Sequence, residues 1–147
     1  MGRFSGIENA QMSEGGVFFL PGNYLARIDT VKTKTSRKND LLFIIETTIL
    51  WSDVPERRRG SSCTQMYKAG DAFLGNVKHF CSVANDCDPS EVDDAGVELV
   101  CGDENPLQGT ILRLQAVNIK TKALNDFTKV IWKQVSAEDQ VLLAKAA

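Results

Sequence analysis

Residues 23–51 read NYLARIDTVKTKTSRKNDLLFIIETTILW, and the alternation in this stretch decides the fold class. Tyr24, Ala26 and Ile28 fall on one face and Arg27 and Asp29 on the other, the period of two of a half-buried strand over residues 23–33. The polar cluster TSRKND, 35–40, turns the chain. Leu41 to Trp51 returns as a second strand, rich in β-branched and aromatic residues. Its odd positions (Leu41, Phe43, Ile45, Thr47, Ile49, Trp51) form the more apolar face and the expected core side.

Working outward, Pro21-Gly22 closes off an irregular N-terminal arm, residues 1–21, whose Val17, Phe18 and Phe19 can pin to the core. SDVPERRRG, 52–60, is a loop with three consecutive arginines, and residues 61–67 are a short third strand. The period then changes. Phe73, Val77, Phe80 and Ala84 recur at helical spacing, so residues 70–84 form an amphipathic helix, weakened by Gly75 by about 1 kcal/mol. Residues 86–104 hold eight acidic side chains and no basic one, and read as an acidic insertion with a brief strand at VELVC. Residues 109–119 and 127–135 alternate again as two strands joined by the turn KTKALND. Ser136 and Asp139 resemble a capping box that opens a short terminal helix with Val141, Leu142 and Leu143 on its apolar side.

Three strands, a helix and two strands is the order of an OB-fold: a mainly β, five-stranded barrel with the helix between strands three and four. Other small α+β folds share that order. The 147 residues suit one domain over 22–147, and 43% hydrophobic residues are enough for a core without disulfides or a structural metal. The first residues carry no basic and apolar leader of signal-peptide type, and no apolar run approaches the roughly 20 residues that span a bilayer. A soluble intracellular protein with reduced, mostly buried Cys63, Cys81, Cys87 and Cys101 is the expectation.

No catalytic constellation stands out. His79 is the one histidine and lies in the helix, where edge filler is the commoner role. There is no GxSxG elbow, no Walker or GxGxxG loop, and Gly70, Gly75 and Asn76 lack the Lys-Ser/Thr of a phosphate loop. Asp86, Asp88, Glu91, Asp93 and Asp94 lack the glycine and the closing glutamate of an EF-hand. The reading is therefore non-enzymatic, with no metal and no cofactor.

Two hairpins carry the stronger pattern: VKTKTSRKND, 31–40, and IKTKALND, 119–126, each running from Lys-Thr-Lys through Asn-Asp into an apolar strand. In an OB barrel these are the two connections that flank the oligonucleotide groove. Lys32, Lys34, Arg37 and Lys38 would there face Lys120, Lys122, Lys129 and Lys133 and hold phosphates on both walls. The alternative is that lysines guard exposed sheet edges against pairing. Bases stack on aromatic faces, and the candidates are Phe127, with Tyr24 and Tyr67 expected to be partly exposed, whereas parity assigns Trp51 and Trp132 to the core. Arg57, Arg58 and Arg59 add a cationic loop able to pair with phosphate or stack on bases.

PGNYLARIDTVK, the SRK turn, FIIETTIL with WSDVPERRRGS, and LGNVKHF resemble blocks found in a group of small tailed-bacteriophage proteins, over roughly residues 17–90. The resemblance implies a single-stranded-DNA-binding OB-fold protein of phage DNA replication or recombination, in the cytoplasm of the infected host. It also implies that Lys34, Arg37, Lys38 and Arg57 to Arg59 touch the strand. Such proteins often end in an acidic, partner-recruiting tail. This chain ends in VLLAKAA and holds its acid internally, so a protein partner would meet 86–104 instead. The alternative is a virion structural protein, capsid-decorating or neck, whose arm contacts other subunits; an acidic mimic of DNA is a third reading. Homo-oligomerisation stays open.

A net charge of −2 is weak ground against a nucleic-acid partner. Residues 86–104 contribute −8, and the other 128 residues hold seventeen basic and eleven acidic side chains, a net of +6.

Overall fold

A computed structural model describes residues 17–120 and 126–146, with the side chains of 120, 126, 127 and 146 left aside. The elements are β1 (Gly22–Thr35), β2 (Leu41–Ser52), β3 (Ser62–Lys68), α1 (Phe73–Ala84), a 3-10 turn (Pro89–Glu91), α2 (Asp94–Val100), β4 (Ile111–Lys120), β5 (Asp126–Lys133) and α3 (Ala137–Ala146). All strand pairs are antiparallel and lie in one sheet of order β3-β2-β1-β4-β5. Among the described residues no helix is long and apolar enough to cross a membrane.

The fold is mainly β, and the expected closed barrel is corrected to an open sheet: β3 and β5 are edge strands that do not pair. Side chains and the arm fill the seam instead. Trp132 of β5 donates its indole N–H to the Tyr67 hydroxyl of β3 at 2.9 Å. The Phe80 ring of α1 meets Trp132 edge-on at 4.9 Å. Phe19 packs edge-on against Tyr24 and Trp132, and Thr64 of β3 donates its N–H to the Val17 carbonyl. The edge amide of Trp132 donates to Nε2 of His79 at 3.1 Å. The backbone amides of Thr64 and Trp132 are thus committed to Val17 and His79 and not to a β3–β5 strand pair.

Tyr24, Ala26 and Ile28 face the core as the alternation requires, and so do Phe43, Ile45, Thr47 and Ile49 of β2. The ladder between β1 and β2 is interrupted twice. At the second interruption Ile28 pairs with Thr47 and Thr30 with Glu46, leaving Asp29 as the extra residue. A one-residue bulge moves every later side chain to the other face. The core positions therefore change from even to odd, and Val31 is buried. Lys32 and Lys34, which share parity with Ile28, point outward only because of this bulge.

The acidic segment is not a brief strand in a loop. VELVC lies in α2 and its end, because Asp93 caps the helix by accepting from the Gly96 N–H at 2.8 Å. Val97 and Val100, three apart, then turn to the core, a helical spacing that outweighs the β propensity of valine. The segment is also clamped. Asn105, with φ of 47°, accepts from the Val31 N–H at 2.8 Å and donates to the Val31 carbonyl at 3.1 Å. It serves β1 where β4, paired to it only from Gly22 to Arg27, has already diverged.

At the other terminus the capping box forms in full. Ser136 Oγ accepts from the Asp139 N–H at 3.1 Å, and Asp139 accepts from the Ser136 N–H at 3.0 Å. The expected apolar side of α3 is looser, with Val141 exposed and Leu142 and Leu143 half-buried.

Candidate nucleic-acid interface

The turn at 36–40 holds Arg37 and Lys38 out into solvent. Ser36 donates its N–H to the Asp40 carbonyl at 2.8 Å, its hydroxyl accepts from the Asp40 N–H, and Asn39 takes the left-handed conformation at φ 64°. Asparagine tolerates that conformation better than most residues. Lys34 continues the exposed row along β1. Lys32 is partly neutralised by Glu46 at 3.1 Å, and Lys68 of β3 pairs with Asp40 at 3.4 Å. These exposed pairs are weak, but they dilute the positive face.

The arginine loop sits at the far end of β2 and is built more firmly than its composition suggests. Val54 is buried, its N–H donates to Ser52 Oγ at 2.8 Å, and Asp53 accepts from the backbone and side chain of Asn23. Those Asn23 bonds hold the Asp53 carboxyl below its usual range. Gly22, at φ 151°, lets the loop approach: a Cβ there would stand 2.2 Å from Val54 Cγ2. Arg57 is half-buried and donates to the Phe18 carbonyl at 2.9 Å, while Arg58 and Arg59 are exposed. Among the described residues none of the three arginines forms an ion pair with a carboxylate.

The arrangement separates the two hairpins. Thr35 of β1 pairs with Leu41, whereas β4 runs from Arg27 back past Gly22 toward Lys120. The β1–β2 and β4–β5 tips therefore leave opposite ends of β1, and the paired sheet does not bring their lysines together. The arginine loop shares its end with the β4–β5 connection, since Ser52 pairs with Tyr24 and Gly22 with Ala116. Lys129 and Lys133 are exposed on β5, and Lys133 pairs with Arg113. Lys122 lies outside the described residues, and Lys120 and Phe127 are placed only by their backbone.

Two stacking candidates are corrected. Tyr24 and Tyr67 are buried, Tyr24 donating its hydroxyl to the Leu20 carbonyl at 2.6 Å and Tyr67 bound to Trp132. Burial pushes both phenols up to about 12, so both stay neutral core groups. Trp132 is core as parity requires, and Trp51 is half-buried. The exposed aromatic that sequence reasoning passed over as a platform is Phe18, 43% exposed beside Arg57. Its signal is the pair Phe18-Phe19 in extended chain, where one ring buried forces its neighbour out.

His79 is an edge cap, as its Nε2 accepts from Trp132. Burial, and next the charge of Lys129, hold it below its ordinary value. Cys63 and Cys81 are buried with thiols pushed up by burial to about 11 and about 12, and all four cysteines are free thiols. Among the described residues no cluster of His, Cys, Asp or Glu is placed to hold a metal. No protein-family model and no curated protein sequence matches this chain.

Proposed function

We propose that the protein binds single-stranded DNA, without catalysis, along the outer face of β1, β2 and β3. The observation that carries this reading is the Asp29 bulge, which turns Lys32 and Lys34 outward in line with Arg37 and Lys38. At the other end of β2 the arginine loop holds Arg57 on the carbonyl of the exposed Phe18, with Arg58 and Arg59 exposed beside it in the chain. A strand spanning the two ends meets cations at both and an aromatic ring at one, the combination that single-strand grooves use. The strand order β3-β2-β1-β4-β5 supports an OB-type reading, being an OB barrel's order opened between its third and fifth strands. The resemblance to phage proteins extends the proposal to a role in phage DNA replication or recombination.

The test is titration of a labelled oligo-dT with the full chain at rising salt. Binding should fall with a log–log slope of about −0.7 per phosphate contact. Replacing Lys34, Arg37 and Lys38 together with glutamine should weaken it and flatten the slope by about 2. No binding at tens of micromolar, or binding indifferent to salt, overturns the proposal.

A further inference from the structure

A cleft of about 570 Å³ opens between α1, α2 and the inner side of the β1–β2 hairpin. Phe43, Val77 and Val97 give it apolar walls, and two leucines stand at its rim, Leu41 at 44% and Leu74 at 76% exposed. A concave apolar surface with large exposed aliphatics beside it is the usual form of an interaction site. Its charge is one-sided: Asp93, Asp94 and Glu98 of the α2 region line it against Lys78 of α1.

We propose that this cleft docks a basic amphipathic segment of a partner protein. Apolar side chains at i, i+3, i+4 and i+7 would fill the groove while lysines or arginines lie over the acidic rim. The same rim disfavours nucleic acid. Residues 1–16 of the chain lack the matching charge, holding Arg3 against Glu8 and Glu14. The residues involved are not those proposed to bind DNA, so either reading can fail alone.

The probe is a fluorescein-labelled peptide of about 15 residues, with leucines at that spacing and lysines between them, titrated with the full chain at about 0.15 M salt. Saturable binding is expected, weakened about tenfold or more by Leu74→Asp and by the pair Asp94→Lys, Glu98→Lys. The pair Asp103→Lys, Glu104→Lys lies on the same acidic segment outside the cleft and should change binding by no more than about twofold. Leu74→Ala repeats the test should the aspartate variant lose its fold. Absence of saturable binding overturns the proposal. Equal weakening by the two lysine pairs also overturns it, since that marks general attraction to acid. Tighter binding of the peptide MGRFSGIENAQMSEGG makes the chain's own arm the occupant and overturns it too.

Discussion

Tyr67→Phe tests whether the unpaired seam between β3 and β5 is held by side chains. The substitution removes one oxygen and almost no volume, so the cavity term is negligible. What it leaves is the Trp132 indole N–H, buried and without its acceptor 2.9 Å away. An orphaned buried donor costs about 1–3 kcal/mol, and its neighbours Phe80 and Phe19 are carbon rings that offer at most a weak π contact in place of the hydroxyl. Urea unfolding should show a lower midpoint at unchanged slope, and Tm should fall by about 3–9 °C. The discriminating measurement is the same change in a Trp132→Phe background. There the donor is already gone, so Tyr67→Phe should cost at least about 1 kcal/mol less than in the parent. A cost below about 0.5 kcal/mol in the parent, or equal costs in both backgrounds, would refute the claim that this bond spans the seam.

Three further outcomes follow from the same geometry. His79 must be unprotonated at Nε2 to accept from Trp132, and its pKa is held below the ordinary 6.5. Stability is thus complete above that value and declines as pH falls from 6.5 toward the folded pKa; His79→Ala should flatten this part of the urea midpoint–pH curve. Burial alone would raise the Asp139 carboxyl, but the Ser136 bonds and the Arg113 ion pair hold it below 3.8, so its contribution is present at neutral pH and lost in acid below that value. Arg113→Met should cost about 2 kcal/mol by urea unfolding, less than a fully buried pair because the arginine side chain is 30% exposed, and should weaken the acid dependence. Deleting Asp29 removes the extra residue and leaves an unbroken ladder in which Val31 still faces in and Lys32 and Lys34 still face out, so circular dichroism should show the native fold retained; loss of the fold would overturn the bulge assignment.

The elements that were legible in the sequence are those whose signal is local. Alternation places β1 and β2, helical spacing places α1, and Ser136 with Asp139 marks the start of α3. Parity also held the answer for the tyrosines. Tyr24 shares its face with Ala26 and Ile28, and Tyr67 pairs with Phe43, so both belong inside. Weighting their positions near strand ends over their parity is what made them appear exposed. The bulge leaves only a faint mark, the spacing of three between Ile28 and Val31 where two is expected. The open seam and the Asn105 clamp are long-range. Asn105 reaches Val31 across 74 residues, and no periodicity encodes that bond.

That clamp changes what the charge distribution means. Asn105 and α2 tie the acidic segment to the hairpin that carries Lys32 and Lys34, so it is not a detachable loop. Thr33 and Phe43 meet it on the inner side, while Lys32 and Lys34 face outward from the same strand. The β1–β2 end therefore carries cations on one side and acid on the other, separated by little more than the thickness of a sheet. That distance is about the Debye length at physiological salt, so the acid still offsets the attraction of phosphate there. The arginine loop, at the opposite end of β2, carries its own acid, Glu56 beside the arginines and Asp53 bound to Asn23. Both cationic patches are thus offset by acid, one from across the sheet and one from within its loop, so the grip on a polyanion should strengthen at either patch when that acid is removed.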